Sequence, residues 1–323
     1  MTSVLAIMRK ELLDLRRNRL VTVVLGVVLA AVVVSVWIAS LAFGSRLTQY
    51  NAYVTALHRA GSTVIPAAPQ LFPLQLMRGS IEYVEIMGGL FAIIIGYMAV
   101  TRERRRGTLE LIFTRPIGRW SLAVGKLLAL AVAWAIGVVV IFGAVALTVR
   151  IVGHAPLQGI DLARLGITAL ASWAYLLLFS ALAMGLSSVM QRPSSALMVA
   201  LVVWLAVVLV IPQIGDTMDP DNQVPGGLFK TLQVPKSAEH SVLAHFSGFD
   251  TARNALEVSS VTKHYERLTF AYLGIKDIFN QQSLAAVWHG IWNNDVTLGL
   301  LSMASLAFAT LTTTRSNLLR RSA

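Results

Sequence analysis

Few residues of this chain have the types and spacing that chemistry needs. The nearest approach to a nucleotide-binding loop is Gly118 to Gly125-Lys126-Leu127, which has the wrong spacing and no hydroxyl where magnesium would be held. No HExxH, GxSxG or Cys/His metal pattern is present, and there is no cysteine at all. His240, His245 and His264 lack helical ligand spacing, and Asp216, Asp219 and Asp221 lack the spacing of a calcium loop. The histidines read as solvated or hydrogen-bonded and the aspartates as a solvated turn, rather than as a catalytic or metal site. Two features remain. Glu82 and Glu85 stand three apart at the start of an apolar run, and residues 102–126 read RERRRGTLELIFTRPIGRWSLAVGK, a dense basic cluster between two apolar runs.

The elements that must position them are set by composition. The chain is 56% hydrophobic and only 13% charged, with a mean hydropathy of +0.68. Soluble domains carry about 25% charged residues, so lipid must be the solvent for much of this chain. Uncharged windows run over 20–45, 86–101, 127–149, 165–191, 193–215 and 296–314. A helix needs roughly 20 residues to cross the hydrocarbon. The windows therefore predict six membrane helices, the second one short, and they lack the alternation of a β-barrel. The fold class is an all-α membrane protein.

Six spans place both termini on one face. That face carries 16 of the 27 Lys/Arg but only 4 of the 16 Asp/Glu, so the termini are expected in the cytoplasm of a cell whose inner membrane the chain crosses. The same asymmetry explains the net charge of +11 without a nucleic-acid partner. Residues 1–18 precede the first span. Val4, Leu5, Met8, Leu12 and Leu15 share one helical face, away from Arg9, Lys10, Arg16 and Arg17, which predicts an interfacial helix. The first outer segment, 46–85, has three prolines and is expected to hug the membrane surface. A second outer segment, 214–294, is nearly domain-sized and interrupts the 19–323 membrane domain. Within it Val261, Tyr265, Leu268, Tyr272, Ile275 and Phe279 step by four and three, which predicts one helix with a buried seam over 261–279.

With these elements drawn, the two features acquire places. Glu82 and Glu85 fall at the outer end of span two, either at headgroup level or lining a pathway mouth or a seam between subunits. Ala181 and Gly185, four apart in span four, allow close helix packing and are candidates for the same interface. Residues 102–119 form a loop on the terminal face. Arg102 and Arg104–Arg106 mark the exit from lipid and are expected to hold the loop at an anionic leaflet. Gly107 permits a turn, Thr108 can cap a short helix with Glu110 in its first turn, and Pro116 ends it. Leu109, Ile112 and Phe113 give that helix an apolar surface, suited either to a partner's groove or to tucking against the bundle.

The run ERRRGTLELIFTRPIGRWSLAVGK resembles the signature of ABC-2-type transporter permeases, with Glu103, Gly107, Thr108, Leu109, Pro116, Arg119, Gly125 and Lys126 matching position by position. The upstream segment PLQLMRGSIEYVEIMGGLFAIIIGY is similar to the NosY-like subgroup. The resemblance implies that residues 1–18 are an elbow helix. It implies that 103–116 hold a coupling helix that docks on a separate ATPase subunit, present in two copies alongside a second permease copy. ATP and magnesium would be bound by that ATPase and no cofactor by this chain, which would itself not be an enzyme. The function so implied is ATP-driven export of an amphipathic substrate. The alternative is a complex that moves an outer partner protein without carrying a substrate, with the 216–294 region and its Tyr/Phe seam as docking surface.

Overall fold

In the computed structural model the described residues are 2–60, 72–107, 114, 118–154, 156–218, 228–235, 238, 241, 244, 247–275, 277–280 and 282–319. They are helical almost throughout. The amphipathic α1 (Thr2–Arg16) leads into six long apolar helices: α2 (Arg19–Arg59), α3 (Pro73–Arg105), α4 (Ser121–Ile151), α5 (Gly159–Val189), α6 (Pro193–Thr217) and α10 (Leu284–Thr312). These are spans one to six. Between α6 and α10 lie the short α7 (Leu228–Thr231) and two longer helices, α8 (Ser247–Val258) and α9 (Val261–Tyr272). α11 (Arg315–Leu318) follows the last span. The side holding both termini is called the terminal face and the other the far face.

Local chemistry fixes where the spans begin. Asn18 accepts from the Leu20 amide at 3.0 Å and caps span one. Pro73 and Pro193 occupy first-turn positions, where their missing N–H costs nothing. Gln158 and Asp161 form a reciprocal capping box on span four, and Ser283 caps span six through the Ala286 amide.

Three boundaries differ from the hydropathy windows. Span one continues to Arg59 instead of ending near 45, so 46–59 rise from the membrane as a helix rather than lying on it. Its 41 residues reach about 60 Å, twice the hydrocarbon thickness. Span two starts at Pro73 and is not short, and span six starts at Leu284. In each case polar residues extend a helix that needs no apolar signal once it has left lipid.

Spans two and four form the centre of the bundle. Gly96 of span two lies against the backbone of Ser180 in span four, so close that a Cβ there would overlap the Ser180 carbonyl. Trp134 of span three donates to the Ser180 hydroxyl at 2.7 Å, and that hydroxyl donates to the Ala92 carbonyl at 3.0 Å. One serine thus ties three spans together where water cannot serve.

The helix pair α8–α9 forms a hairpin that re-enters the bundle. α9 packs on spans two, four, five and six. Tyr265 is fully buried, stacks on Tyr175 of span four at 4.4 Å between ring centroids, and shares a 2.8 Å hydrogen bond with Ser172. The hairpin turn meets a π-helical segment of span five, Leu205–Val210. In that register the Ile211 amide bonds to Ala206, and the next donor in line for the Val207 carbonyl would be Pro212, which has none. Ser260 fills the gap, donating to Val207 at 2.6 Å. Val207 lies about 15 Å along the helix from the far end of span five, so the insertion is partly embedded between the spans.

The helix predicted over 261–279 stops at Tyr272. Gly274 adopts φ +64° and turns the chain, and Phe279 sits in a separate short 3-10 turn against Gly290. Val261, Tyr265, Leu268 and Tyr272 are buried as the periodicity implied, while Ile275 and Phe279 are partly buried outside the helix. Because this seam faces the spans, it is not a surface on which a partner protein docks.

Candidate functional site

The strongest concentration of buried charge lies on the terminal face, where α1, the end of span two and the start of span three meet. α1 packs along span three, with Val4 and Ile7 against Gly125. Its protein-facing stripe is Ile7, Glu11 and Leu15, while Leu5 and Leu13 are exposed. The face expected from the hydropathy pattern is therefore rotated, and one carboxylate, Glu11, points inward.

Lys126 is the centre of this cluster, at 1% exposure. Its ammonium lies 2.7 Å from the Glu11 carboxylate, 2.8 Å from that of Glu103 and 2.7 Å from the Ala99 carbonyl. Three donors meet three acceptors. Lys10 closes the group by pairing with Glu103, with Glu11 at 3.2 Å and with Asp14 at 3.8 Å. Arg102 approaches Glu11 at 3.7 Å and donates to the Asp14 carbonyl at 3.4 Å. Among the described residues three cations face three anions. Burial alone would lower the Lys10 pKa, but the Glu103 and Glu11 carboxylates outweigh it and hold the value above the ordinary 10.5.

The neighbouring arginines divide their work. Arg104 donates to the carbonyls of Ser187 and Met190 at 3.1 and 2.7 Å, and to those of Ser188 and Asn317 at 3.4 and 3.2 Å. It thereby caps the end of span four and ties α11 to it. Arg102 and Arg104 therefore bind protein and do not serve as the lipid anchors expected from the basic run. Arg105 is exposed, with one 3.4 Å contact to the Tyr97 hydroxyl. Gly107, at φ +67°, ends the last segment of span two, Gly89–Arg106, by the left-handed turn that the sequence indicates.

The loop between spans two and three thus leaves and rejoins the bundle at two fastened ends. Glu103 lies just before its exit and Lys126 just after its return, joined by the 2.8 Å ion pair. Of the residues singled out in that loop, Glu103 and Gly107 are described. Thr108, Leu109, Glu110, Ile112, Phe113 and Pro116 lie outside the described residues. Glu103 is turned into the bundle, which corrects its assignment to the docking surface.

At the far face, Glu82 is exposed and pairs with Arg78 at 3.3 Å. Glu85 is buried within the protomer, in the π-helical segment Val84–Gly88 and near α9, so it does not lie on a seam between subunits. Lys263 of α9 pairs with Asp216 and Glu266, both at 2.9 Å. Glu257 of α8 pairs with Arg253 at 3.1 Å and Arg267 at 2.5 Å. Burial would raise the Glu257 pKa, but the two guanidiniums hold it below the usual carboxylate value. Ala181 and Gly185 are also internal. Gly185 packs against Phe308 of span six, so the close approach that it permits is within one protomer. Among the described residues no group of three or more His, Asp or Glu side chains is placed to hold a metal ion.

Sequence reasoning missed Lys10, Glu11 and Lys126 as a unit. Two misfits pointed to it. A lone lysine in the second turn of span three opposes the helix dipole, and a carboxylate shares a helical stripe with Ile7 and Leu15.

Comparison with known proteins identifies the family. The family described as ABC-2 family transporter protein matches residues 5–318, which include every ion of the cluster. The chain is 29% identical over 216 residues to the "Probable ABC transporter permease protein NosY" of Stutzerimonas stutzeri, covering 65% of this chain and 68% of that one. It is 31% identical over 254 residues to the protein of the same name from Pseudomonas aeruginosa, covering 78% of this chain and 84% of that one. A match that spans nearly all of α1, all six spans and the loop between spans two and three places the chain in the ABC-2 family of transporter proteins, as a multi-pass membrane permease.

Proposed function

We propose that this chain is the membrane subunit of an ATP-driven complex, in which two copies work with two separate ATPase subunits that bind ATP and magnesium. Its termini face the cytoplasm of the inner membrane, and the 108–117 loop docks on the ATPase. The observation that carries this reading is Lys126, whose three bonds join α1, span two and span three at the root of that loop. A force applied to the loop then moves three helices as one body. The cargo is an amphipathic molecule exported along the interface between the two copies.

A second reading, motion passed to an outer partner with no cargo in the bilayer, is favoured by one observation. Tyr265 fastens the embedded hairpin to span four by stacking and a hydrogen bond, so α8 follows any movement of the spans. In that case the partner would engage the exposed side of α8 or the 46–59 stalk. Vesicles holding the whole complex separate the two readings. Export predicts ATP-dependent movement of a labelled amphiphile. Transmission predicts ATP-dependent reactivity changes at a Tyr53→Cys label with no such movement.

Docking itself is tested in the loop. Phe113→Ala should weaken ATPase association about thirtyfold, the effect of one interfacial anchor, and should uncouple hydrolysis. Arg105→Ala should change association less than about threefold, because an exposed rim charge contributes little. The reverse ranking would show that the basic cluster is the contact.

A further inference from the structure

Spans four, five and six do not close on one another at mid-depth. They leave a groove of about 350 Å³, walled by Leu178 and Leu182 of span four, Val207 of span five and Leu301 and Phe308 of span six. Val261, at the tip of the re-entrant hairpin, is part of the same lining. Two hydroxyls reach the lining, and both are already engaged. Ser305 donates to the Leu178 carbonyl and Ser259 to the Leu256 carbonyl, each at 2.6 Å. A water molecule needs two to four polar partners, and the two hydroxyls, their donors spent, leave only acceptor lone pairs in an otherwise apolar lining.

The position of the groove identifies what fills it. Spans five and six are the two least buried within the protomer, so the groove is framed by the helices that face outward most. Trp288 and Trp292 are exposed near the far end of span six, the place of an interfacial aromatic pair. Leu301 lies nine residues beyond Trp292, about 14 Å deeper along the helix, within the hydrocarbon. The groove opens sideways between the spans, so a slender chain can lie along it. The volume does suit a linear chain of about a dozen methylenes, taking roughly 30 Å³ for each, the share of a water molecule in the liquid.

We propose that this groove binds one acyl chain of a bilayer phospholipid, held between span six and the hairpin tip. The site lies inside a single protomer and is independent of which cargo, if any, the complex moves. The bound chain completes the packing between the hairpin and the spans.

The test uses the full chain in phosphatidylglycerol vesicles containing a trace of phospholipid with a diazirine midway along one acyl chain. After irradiation, labelling of the 178–182 and 301–308 peptides should exceed that of the lipid-facing 34–41 stretch of span one by about tenfold. Ala304→Trp, which places an indole in the groove, should remove the groove labelling and leave span one unchanged. If that variant does not fold, Ala304→Leu should lower the labelling in the same peptides. Equal labelling of groove and span one, or groove labelling that survives a folded Ala304 variant, would overturn the proposal. So would efficient disulfide dimerisation of Leu301→Cys in the otherwise cysteine-free chain, since a second copy would then occupy the groove.

Discussion

Replacing Lys126 with methionine should destabilise the protein by about 3–5 kcal/mol, the cost of breaking a buried ion group by removing one partner. Methionine keeps most of the volume but none of the charge. Glu11 and Glu103 would then face each other at 4% and 6% exposure, having lost the cation between them. The thermal midpoint of the purified chain reads the loss. The neutral combination Glu11→Gln, Glu103→Gln, Lys126→Met should recover most of that stability, because the penalty comes from unpaired charge rather than from lost packing. It should not recover coupled ATP hydrolysis, because the bonds that unite the three helices stay absent. If the single change leaves the midpoint unmoved, the cluster is not the closed ion group described above.

Gly96→Val should be the most damaging single change in the centre of the bundle. Its Cβ would collide with the Ser180 carbonyl, and backbone cannot swing aside as a side chain can. Spans two and four would have to separate, taking with them the bonds from Trp134 to Ser180 and from Ser180 to Ala92. Overpacking in a close-packed core costs about 1–3 kcal/mol, and the lost bonds add to that. Gly143→Val in span three is the control, since a Cβ there meets nothing within 4 Å. The thermal midpoint should fall sharply for the first and stay nearly constant for the second. Similar midpoints would mean that the two spans are not in backbone contact.

The six spans were legible in the sequence because lipid leaves a length-coded signal. Their ends were less so. Helix 46–59 carries little hydropathy, and nothing in its composition separates a rising helix from a surface loop. Span six hides its first two turns and more behind Asp295, whose carboxylate accepts a 3.1 Å bond from Tyr272. The seam of α9 was legible through Tyr272, and Gly274 was an available stop signal that the periodicity argument overrode. The ion cluster was not legible, because Lys126 meets a carboxylate 115 residues away and Arg104 meets bare carbonyls of span four, which no side chain announces. What the sequence marked in this region was the loop itself. What it left unmarked was how both ends of that loop are held.

α1 and the roots of spans two and three should move as one body. A disulfide tests this without touching the ions. A Cβ at Gly125 would lie 2.8 Å from that of Ile7, so a small shift places an Ile7→Cys, Gly125→Cys pair within bonding geometry. The measurement is coupled ATPase activity of the whole complex carrying this pair, oxidised and then reduced. A rigid joint predicts activities within about twofold of each other, since the bond would hold together parts that never separate. Activity that falls more than tenfold on oxidation and returns on reduction would contradict a rigid joint, because α1 would then have to slide along span three during each cycle.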